Sequence, residues 1–247
     1  MKIGKISSFG TLLADGKWYS QEYLYRTNRI YYVHSGKARY ENFVFEAGRV
    51  YFIPESPAFD PVAEDGEPFV HSYADFSLIF PIKCNSVIST AADADEELGV
   101  ALGVFLLGCK QKERLKHEEY KNGFYTLFET AISLIVTKIA ECNGADFVFD
   151  ETVTRALSIM NDRMNEDLTV SALAEEVYMS EDGFIRRFSR IMGATPYAYL
   201  KKLRLTTAAG MINDGEPIST AALAVGYSDA ASLIHAMSKE KQKTKNK

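Results

Sequence analysis

The period of hydrophobic and polar positions changes along the chain. From about Trp18 to Phe80, aromatic and β-branched residues crowd into short runs, as in RIYYVHSGKARYENFVFEAGRVYFIP, broken by the turn-like steps Ser35-Gly36-Lys37 and Ala47-Gly48-Arg49. This pattern predicts several short strands with tight turns, closed into a sandwich or barrel. Between about Ala91 and Glu141 the period lengthens. Phe124, Leu127, Ala131, Leu134 and Ile135 recur at three- and four-residue steps, which is the apolar stripe of a long helix. Such a stripe either covers the barrel or pairs with another subunit. Its opposite side carries Lys121, Glu129 and Lys138, and a homodimer through this zone is expected. Asn143-Gly144, within CNGADFVFD, marks a break, and from Glu151 onward the chain reads as short helices. The expected fold class is α+β: an N-terminal β-barrel with a helical dimerisation segment, then an all-α domain.

In that last zone Val153, Ala156, Leu157, Met160 and Met164 form one helical face, with Asn165 as the expected left-handed stop. Ser171 is the expected N-cap of the next helix, whose inner face is Leu173, Ala174 and Val177. Tyr178-Met179 is the turn. Ser180 caps a second helix that points Phe184, Phe188 and Ile191 or Met192 inward. The pattern is a helix-turn-helix, and it leaves Glu181, Asp182, Ile185, Arg186, Ser189 and Arg190 free to meet a major groove. About 48 residues later the design recurs in AALAVGYSDAASLIHAM: Ala222 answers Ala174, Val225 answers Val177, Gly226 answers Tyr178 and Ser228 answers Ser180. With one extra residue in the second turn, Leu233 answers Phe184 and Met237 answers Phe188. Between the copies Thr195 and Pro196 start a helix carrying Leu200, Leu203, Ala208 and Met211, which ends near Asp214-Gly215. Two such units joined by one rigid helix suit successive major-groove segments on one face of a duplex.

The net charge of −5 would argue against a nucleic-acid partner if it were spread evenly. It is not. Residues 150–247 carry 13 Lys+Arg and 13 Asp+Glu, so the whole excess of acid lies in residues 1–149. Arg186, Arg187, Arg190, Lys201, Lys202 and Arg204 form a local basic patch with no acid between the first and the last. At 247 residues, 47% hydrophobic and 25% charged, the chain has the composition of an ordinary soluble globular protein. Neither a signal-peptide core nor a run approaching bilayer length is evident, so a cytoplasmic location without membrane contact is expected. Cys84, Cys109 and Cys142 are widely spaced without a C-x-x-C pair, and we read them as reduced.

Residues from about 152 to 239 resemble the DNA-binding domain of AraC/XylS-type bacterial transcription regulators. The features that carry the resemblance are the pattern L-A-x-x-V-x-M-S-x-x-x-F-x-R-x-F from Leu173 to Phe188, then Gly193, Pro196, Tyr199-Leu200, Arg204-Leu205, Ala208 and Pro217-Ile218, and A-x-x-V-G-Y-S-D from Ala222 to Asp229. The N-terminal zone resembles the cupin-like sensing barrel common in that family, through Gly36, the A-G-R turn and Ile53-Pro54. The resemblance implies three zones: an effector-binding barrel at 1–85, a helical dimerisation region at 86–145, and a DNA-binding domain at 150–247 with helix-turn-helix units at 171–192 and 219–239. It further implies a homodimer that binds a small effector and promoter DNA and contacts RNA polymerase, with no cofactor. Base-facing positions then fall on Asp182, Ile185 and Arg186 in the first unit and on Ala230, Ala231, Ile234 and His235 in the second. Arg190, Lys201 and Lys202 are expected to meet DNA as well. Arg186 is the strongest candidate, because a guanidinium reads guanine O6 and N7 with two hydrogen bonds. Three departures from the family pattern stand out: Arg187 at a usually apolar position, Gly183 inside the recognition helix, and His235 where arginine is frequent.

Aromatic and polar side chains of the barrel, Tyr32, Tyr40, Tyr51, Phe59, His71 and Tyr73, are the expected effector-binding residues, suited to a sugar-like or small aromatic ligand. Two alternative readings remain: a ligand-binding interaction protein with weak or lost DNA binding, and a cupin-type metal enzyme. The second would need histidines and a carboxylate converging inside the barrel, and the candidates are His34, His71, Glu41 and Glu46, with Phe59 where a histidine often sits. After Met237 the sequence turns lysine-rich where family members continue into a closing helix, so Leu233 and Met237 are expected to be thinly covered.

Overall fold

The computed structural model describes residues 3–14, 27–40, 42–55, 59, 61–64, 66–80, 82, 84, 86–115 and 121–245. Strands come first: β1 (Ile3–Ala14), β2 (Asn28–Ser35), β3 (Lys37–Tyr40), β4 (Phe43–Glu46), β5 (Arg49–Ile53), β6 (Val62–Ala63), β7 (Phe69–Leu78) and β8 (Ile88–Ala91). They pair antiparallel in two sheets, ordered β1-β7-β2-β5-β8 and β4-β3-β6. Period-two alternation sorts the side chains of the larger sheet onto two faces. Tyr31, Val33, Tyr51, Ile53 and Phe69 face the smaller sheet, where Ala38, Tyr40 and Phe45 meet them. Rings fill this interior: Tyr31 lies 4.4 Å from His71, and Phe45 lies 4.9 Å from Tyr51, centroid to centroid. Strand β8 carries the larger sheet past residue 85, pairing Ile88–Ala91 with Arg49–Phe52.

The other face of the larger sheet is greasy and needs a cover. Ile30, Val50, Phe52, Ala74 and Phe76 pack against α1 (Glu96–Lys110) and α3 (Thr126–Cys142); a short α2 (Lys112–Leu115) and a π-helical turn at Lys121–Tyr125 lie between them in the chain. Asp95 caps α1, accepting from the Leu98 amide at 3.0 Å. On α3 the residues Phe128, Ala131, Ile132, Ile135, Val136 and Ile139 are buried, so the apolar stripe expected to pair subunits lies against the sheet. Leu127, also expected in that stripe, is exposed. The stretch Gly123–Cys142 is long and apolar enough by composition to cross a membrane, which corrects the expectation that no segment approaches that length. Its hydrophobic side is used up by the sheet.

From Asp150 onward the elements are helical: α4 (Glu151–Asp162), α5 (Val170–Glu176), α6 (Glu181–Met192), α7 (Pro196–Asn213), α8 (Ile218–Ala224) and α9 (Ala230–Lys245). One core unites Val153, Leu157, Met160, Leu173, Ala174, Phe184, Phe188, Leu200, Leu205, Ala222, Val225 and Leu233. The caps follow the sequence with two corrections. Thr169, not Ser171, caps α5: its extended backbone aims the hydroxyl at the Ala172 amide, 3.1 Å away, while Ser171 already sits inside the first turn. Asn165 is not left-handed, since Tyr178 is the non-glycine residue with positive φ among the described residues. A third expectation fails at the end of the domain. Leu233 and Met237 are buried rather than thinly covered, because α9 continues to Lys245 and a Lys201–Glu240 ion pair of 2.7 Å holds it to α7.

The helical domain is docked on the sheet domain. Strand β1 is the edge of the larger sheet, and α7 lies along it so closely that a Cβ on Gly210 would overlap the Ser7 carbonyl oxygen. Asn161 of α4 accepts from the Lys5 amide at 2.9 Å and from the Ser77 hydroxyl at 2.5 Å. Tyr199 donates to the Leu78 carbonyl oxygen at 3.3 Å, Lys112 pairs with Asp214 at 2.5 Å, and Lys202 pairs with Glu55. Ile79, just past β7, is part of the helical core.

Two predictions follow from this packing. Gly210→Ala forces a methyl group into the β1 backbone, and overpacking of this kind costs roughly 1–3 kcal/mol; a urea midpoint shifted downward by that amount is the expected result. The second concerns His71, whose burial lowers its pKa from 6.5 to about 3. A group with a depressed folded pKa contributes full stability above its unfolded pKa and loses it as pH falls toward the folded value. Between about pH 6.5 and pH 3, His71 should therefore remove up to about 1.4 kcal/mol of stability per pH unit. Urea titrations of wild type and His71→Gln across that window should diverge, with the variant showing the shallower slope.

Candidate nucleic-acid interface and effector site

The two helix-turn-helix units share more than residue types. In the first, the Tyr178 amide donates to the Glu175 oxygen at 3.0 Å and the Met179 amide to the Ala174 oxygen at 2.9 Å; in the second, Gly226 donates to Leu223 at 3.2 Å and Tyr227 to Ala222 at 2.9 Å. Both turns close with the hydrogen-bond pattern that ends helices on a left-handed residue. That residue is Tyr178 with φ 56° in one copy and Gly226 with φ 83° in the other. The inward residues also correspond: Leu173, Ala174 and Val177 are buried in the first unit, and Ala221, Ala222 and Val225 in the second. The repeat seen in the sequence is thus a repeat of geometry.

Each second helix presents a solvent-facing row. On α6, Asp182, Arg186 and Arg190 are exposed and Ile185 is half-buried, while Phe184 and Phe188 anchor the opposite side. Ser180 accepts from the Gly183 amide at 3.3 Å and starts the helix. A Cβ at Gly183 would crowd the Ser180 hydroxyl, so this glycine belongs to the cap. On α9, Ala231, Ile234 and His235 are exposed and Ala230 is half-buried. Here Asp229 makes the cap, accepting from the Ser232 amide at 2.7 Å, which lowers its pKa along with hydrogen bonds from the Ser228 and Ser232 side chains. Ser228 was the expected counterpart of Ser180; the extra residue in the second turn moves the cap one position on.

The basic patch divides sharply. Arg187 donates to both carboxylate oxygens of Asp150, at 3.2 and 2.9 Å, and Asp150 also caps α4 through the Val153 amide. An arginine at this usually apolar position therefore ties α6 to the start of the domain. Arg204 donates to the Met164 and Glu166 carbonyl oxygens at 2.7 and 2.6 Å, closing the end of α4. Lys201 is paired to Glu240 and Lys202 to Glu55. Lys202 thus reaches toward the sheet domain rather than standing beside α6. Arg186 and Arg190 form no ion pair among the described residues, and both lie on the open side of α6.

The expected effector residues do not converge on one cavity. Tyr40, Tyr51, Phe59 and His71 line the barrel interior, with Tyr73 at its edge. Tyr32 points to the other side of the sheet, packed on the helix-facing core and 4.8 Å from His34. Tyr51 spends its hydroxyl locally, accepting from the Glu46 amide at 2.7 Å, and burial raises its pKa. Tyr73 lies 3.3 Å from the Ser8 hydroxyl. Deeper in, Arg29 pairs with Asp75 at 2.9 Å and its guanidinium lies 4.8 Å from the Phe59 ring centroid; burial raises the Asp75 pKa, with Arg29 acting against it. His34 and His71 lie on opposite faces of the sheet, Glu46 pairs with Lys37 at the surface, and Glu41 lies outside the described residues. Among the described residues no group of three possible metal ligands comes together. A cavity of about 30 Å³ lies between the domains instead, lined in part by Lys5, Thr27, Tyr199, Lys202 and Thr206.

Sequence reasoning missed the residues that join the domains, Asn161, Tyr199 and Gly210. A glycine inside the otherwise regular α7 was the readable signal, because such a position usually marks a close approach.

Comparison with known proteins bears on these features. Residues 173–244 match the family described as a helix-turn-helix domain. The RCS-specific HTH-type transcriptional activator RclR of Escherichia coli (strain K12) is 38% identical over 73 residues, a match that spans 29% of this chain and only 26% of that protein. Two structures of ToxT from Vibrio cholerae share the fold at 10% identity. The unsaturated fatty acid-bound protein of strain SCE256 gives a TM-score of 0.53 over 96% of this chain and 90% of that one. The O395 protein bound to (E)-4-(8-methylnaphthalen-1-yl)but-3-enoic acid gives 0.55 over 96% and 92%. The helical part of the chain is thus matched by a helix-turn-helix family, and the arrangement of paired helix-turn-helix units behind a sheet-rich domain is a fold shared with ToxT.

Proposed function

We propose that the protein is a sequence-specific DNA-binding transcription regulator controlled by a small-molecule effector. The observation that carries this reading is the duplicated turn, which sets α6 and α9 on the same local frame, each with one row of side chains open to solvent. Promoter DNA is the partner, the working form is a homodimer, and transcription is adjusted through contact with RNA polymerase. No step in this scheme calls for catalysis, in keeping with a family of regulators.

The two units are unequal in chemistry. Arg186 supplies the bidentate donor that reads guanine, and Arg190, a turn further on, suits a phosphate. Ala230, Ala231 and Ile234 offer methyl contacts to thymine, and His235 a single imidazole. Asp182 fits opposite a cytosine amine. The first unit therefore specifies sequence and the second mostly adds affinity. For the effector, the aromatic side chains Tyr40, Tyr51, Phe59 and His71 suit a sugar-like or small aromatic body stacked on rings, which requires the rings that fill the barrel interior to part around it. ToxT structures with a fatty acid and with a naphthalenyl butenoic acid support an effector with a substantial apolar part. One observation favours the alternative of a ligand-binding protein with weak DNA affinity: Lys201, Lys202 and Arg204 are engaged within the protein.

Binding to the protein's own upstream DNA, measured by fluorescence anisotropy across a salt series, tests these readings. We expect Arg186→Ala to cost about 1–3 kcal/mol and to relax sequence preference, and Lys202→Ala to leave the salt slope unchanged. Equal relaxation by His235→Ala would remove the asymmetry between units. Binding no tighter than to random duplex would favour the interaction-protein reading.

A further inference from the structure

Arg187 turns to a carboxylate of its own chain while Arg186 beside it stays open to solvent. Its Nε donates to both oxygens of Asp150, at 3.2 and 2.9 Å, with the Arg187 side chain 42% and the Asp150 side chain 11% exposed. Among the described residues it is the side chain of α6 that hydrogen-bonds to another element. Phe184 and Phe188 hold the helix differently, by ring packing: their centroids are 5.6 Å apart, and Phe188 lies 5.7 Å from Tyr199 on α7. Apolar packing of this kind is non-directional and resists separation more than rotation about the helix axis. A charge-assisted hydrogen bond has a preferred direction. It fixes the rotation that ring packing fixes least.

Asp150 is itself held in place. The same carboxylate accepts from the Val153 amide at 3.1 Å, so it caps α4 while it binds Arg187. The residues just before it are tied to the segment that follows β7: Phe147 forms a β-bridge with Ile82, and Phe149 stacks on Phe80 at 6.1 Å between centroids. Through Asp150 the orientation of α6 is therefore referred both to the start of α4 and to the sheet domain.

That orientation matters most one residue away. Neighbouring side chains leave a helix 100° apart, so fixing residue 187 sets the direction in which Arg186 departs. A rotation of about 15° moves a group at the ~6 Å outer radius of a helix by roughly 1.5 Å, enough to break a hydrogen bond. In the second unit, where Leu233 answers Phe184 and Met237 answers Phe188, the position of Arg187 is taken by Ala236, packed on the helical core.

We propose that Arg187 is a positioning residue: held by Asp150, it sets the rotation of α6 so that Arg186 meets a base edge, and the sequence preference of the first unit depends on it. This rests on the regulator reading of the proposed function.

Anisotropy titrations of the full chain against two duplexes test it, one selected by the wild type from a randomised pool and the other a shuffle of that sequence. The readout is the ratio of their dissociation constants. Asp150→Asn keeps the cap, since asparagine caps a helix as well as aspartate, but removes the charge. Arg187→Leu removes the other partner. Each should lower the discrimination between the duplexes about tenfold, the scale of one lost two-hydrogen-bond contact to a base. The double variant should lower it by the same factor and not by the product, because both changes break one tie. Urea midpoints verify that each variant is folded. Three results overturn the inference. Unchanged discrimination with lowered midpoints would make the pair a contact of the fold alone, and a double variant that multiplies the single effects would make the two residues independent. Tighter binding of both duplexes by Asp150→Asn, with weaker binding of both by Arg187→Leu, would make Arg187 a phosphate ligand that Asp150 restrains. Each of these leaves the regulator reading standing, whereas a wild type that selects no sequence sinks that reading and this inference with it.

Discussion

The close seating of α7 on strand β1 is the contact on which the rest of the arrangement depends. An edge strand presents unpaired backbone groups, and a sheet that ends in one must cover it or expose it. Here the cover is the helix that also joins the two helix-turn-helix units, and it fits because Gly210 has no side chain to hold it off the Ser7 carbonyl. Around that point Asn161, Tyr199, Lys112 and Lys202 add polar ties of long sequence separation. The sheet domain and the helical domain consequently share a boundary fastened by ties between residues far apart in sequence.

The same economy explains how the basic residues are divided. A helical domain of six short helices has many ends, and each end leaves carbonyls or amides that need partners. Arg204 satisfies carbonyls beyond α4, Arg187 binds the Asp150 carboxylate that caps the same helix, and Lys201 fastens α9 to α7. What remains open is concentrated on α6. A local count of positive charge therefore overstates the basic surface left open to solvent, because most of the patch forms contacts within the protein.

Much of this was legible in the chain itself. The inward residues of both helix-turn-helix units, the place of the turn at Tyr178-Met179, the Thr195-Pro196 start of α7 and its stop at Asp214-Gly215 were all read from apolar spacing and cap chemistry, whereas the left-handed conformation was expected at Asn165 and falls on Tyr178. These are short-range features, set by contacts within a few residues. The cap of α5 was misplaced by two positions because Thr169 and Ser171 offer the same hydroxyl, and only the backbone direction selects between them. On α3 the stripe was read one step off, since Ala131 and Ile135 are buried but Leu127 is exposed and Phe128, Ile132 and Ile139 complete the buried face; its destination stayed open, because periodicity marks a buried face without naming what buries it.

What the sequence by itself determined, then, is the order of elements, the duplication and the inward faces of the paired helices, because helical period, turn residues and repeats are written locally. Tertiary structure decided which charges are spent internally, that Tyr32 turns away from the barrel while Tyr51 and His71 face into it, and that the buried side of α3 lies against the sheet. Each of these depends on partners far along the chain, as with Lys202 and Glu55 or Arg187 and Asp150. A one-residue choice of sheet face or a single long-range ion pair leaves no mark on local spacing, so only the packed molecule could reveal it.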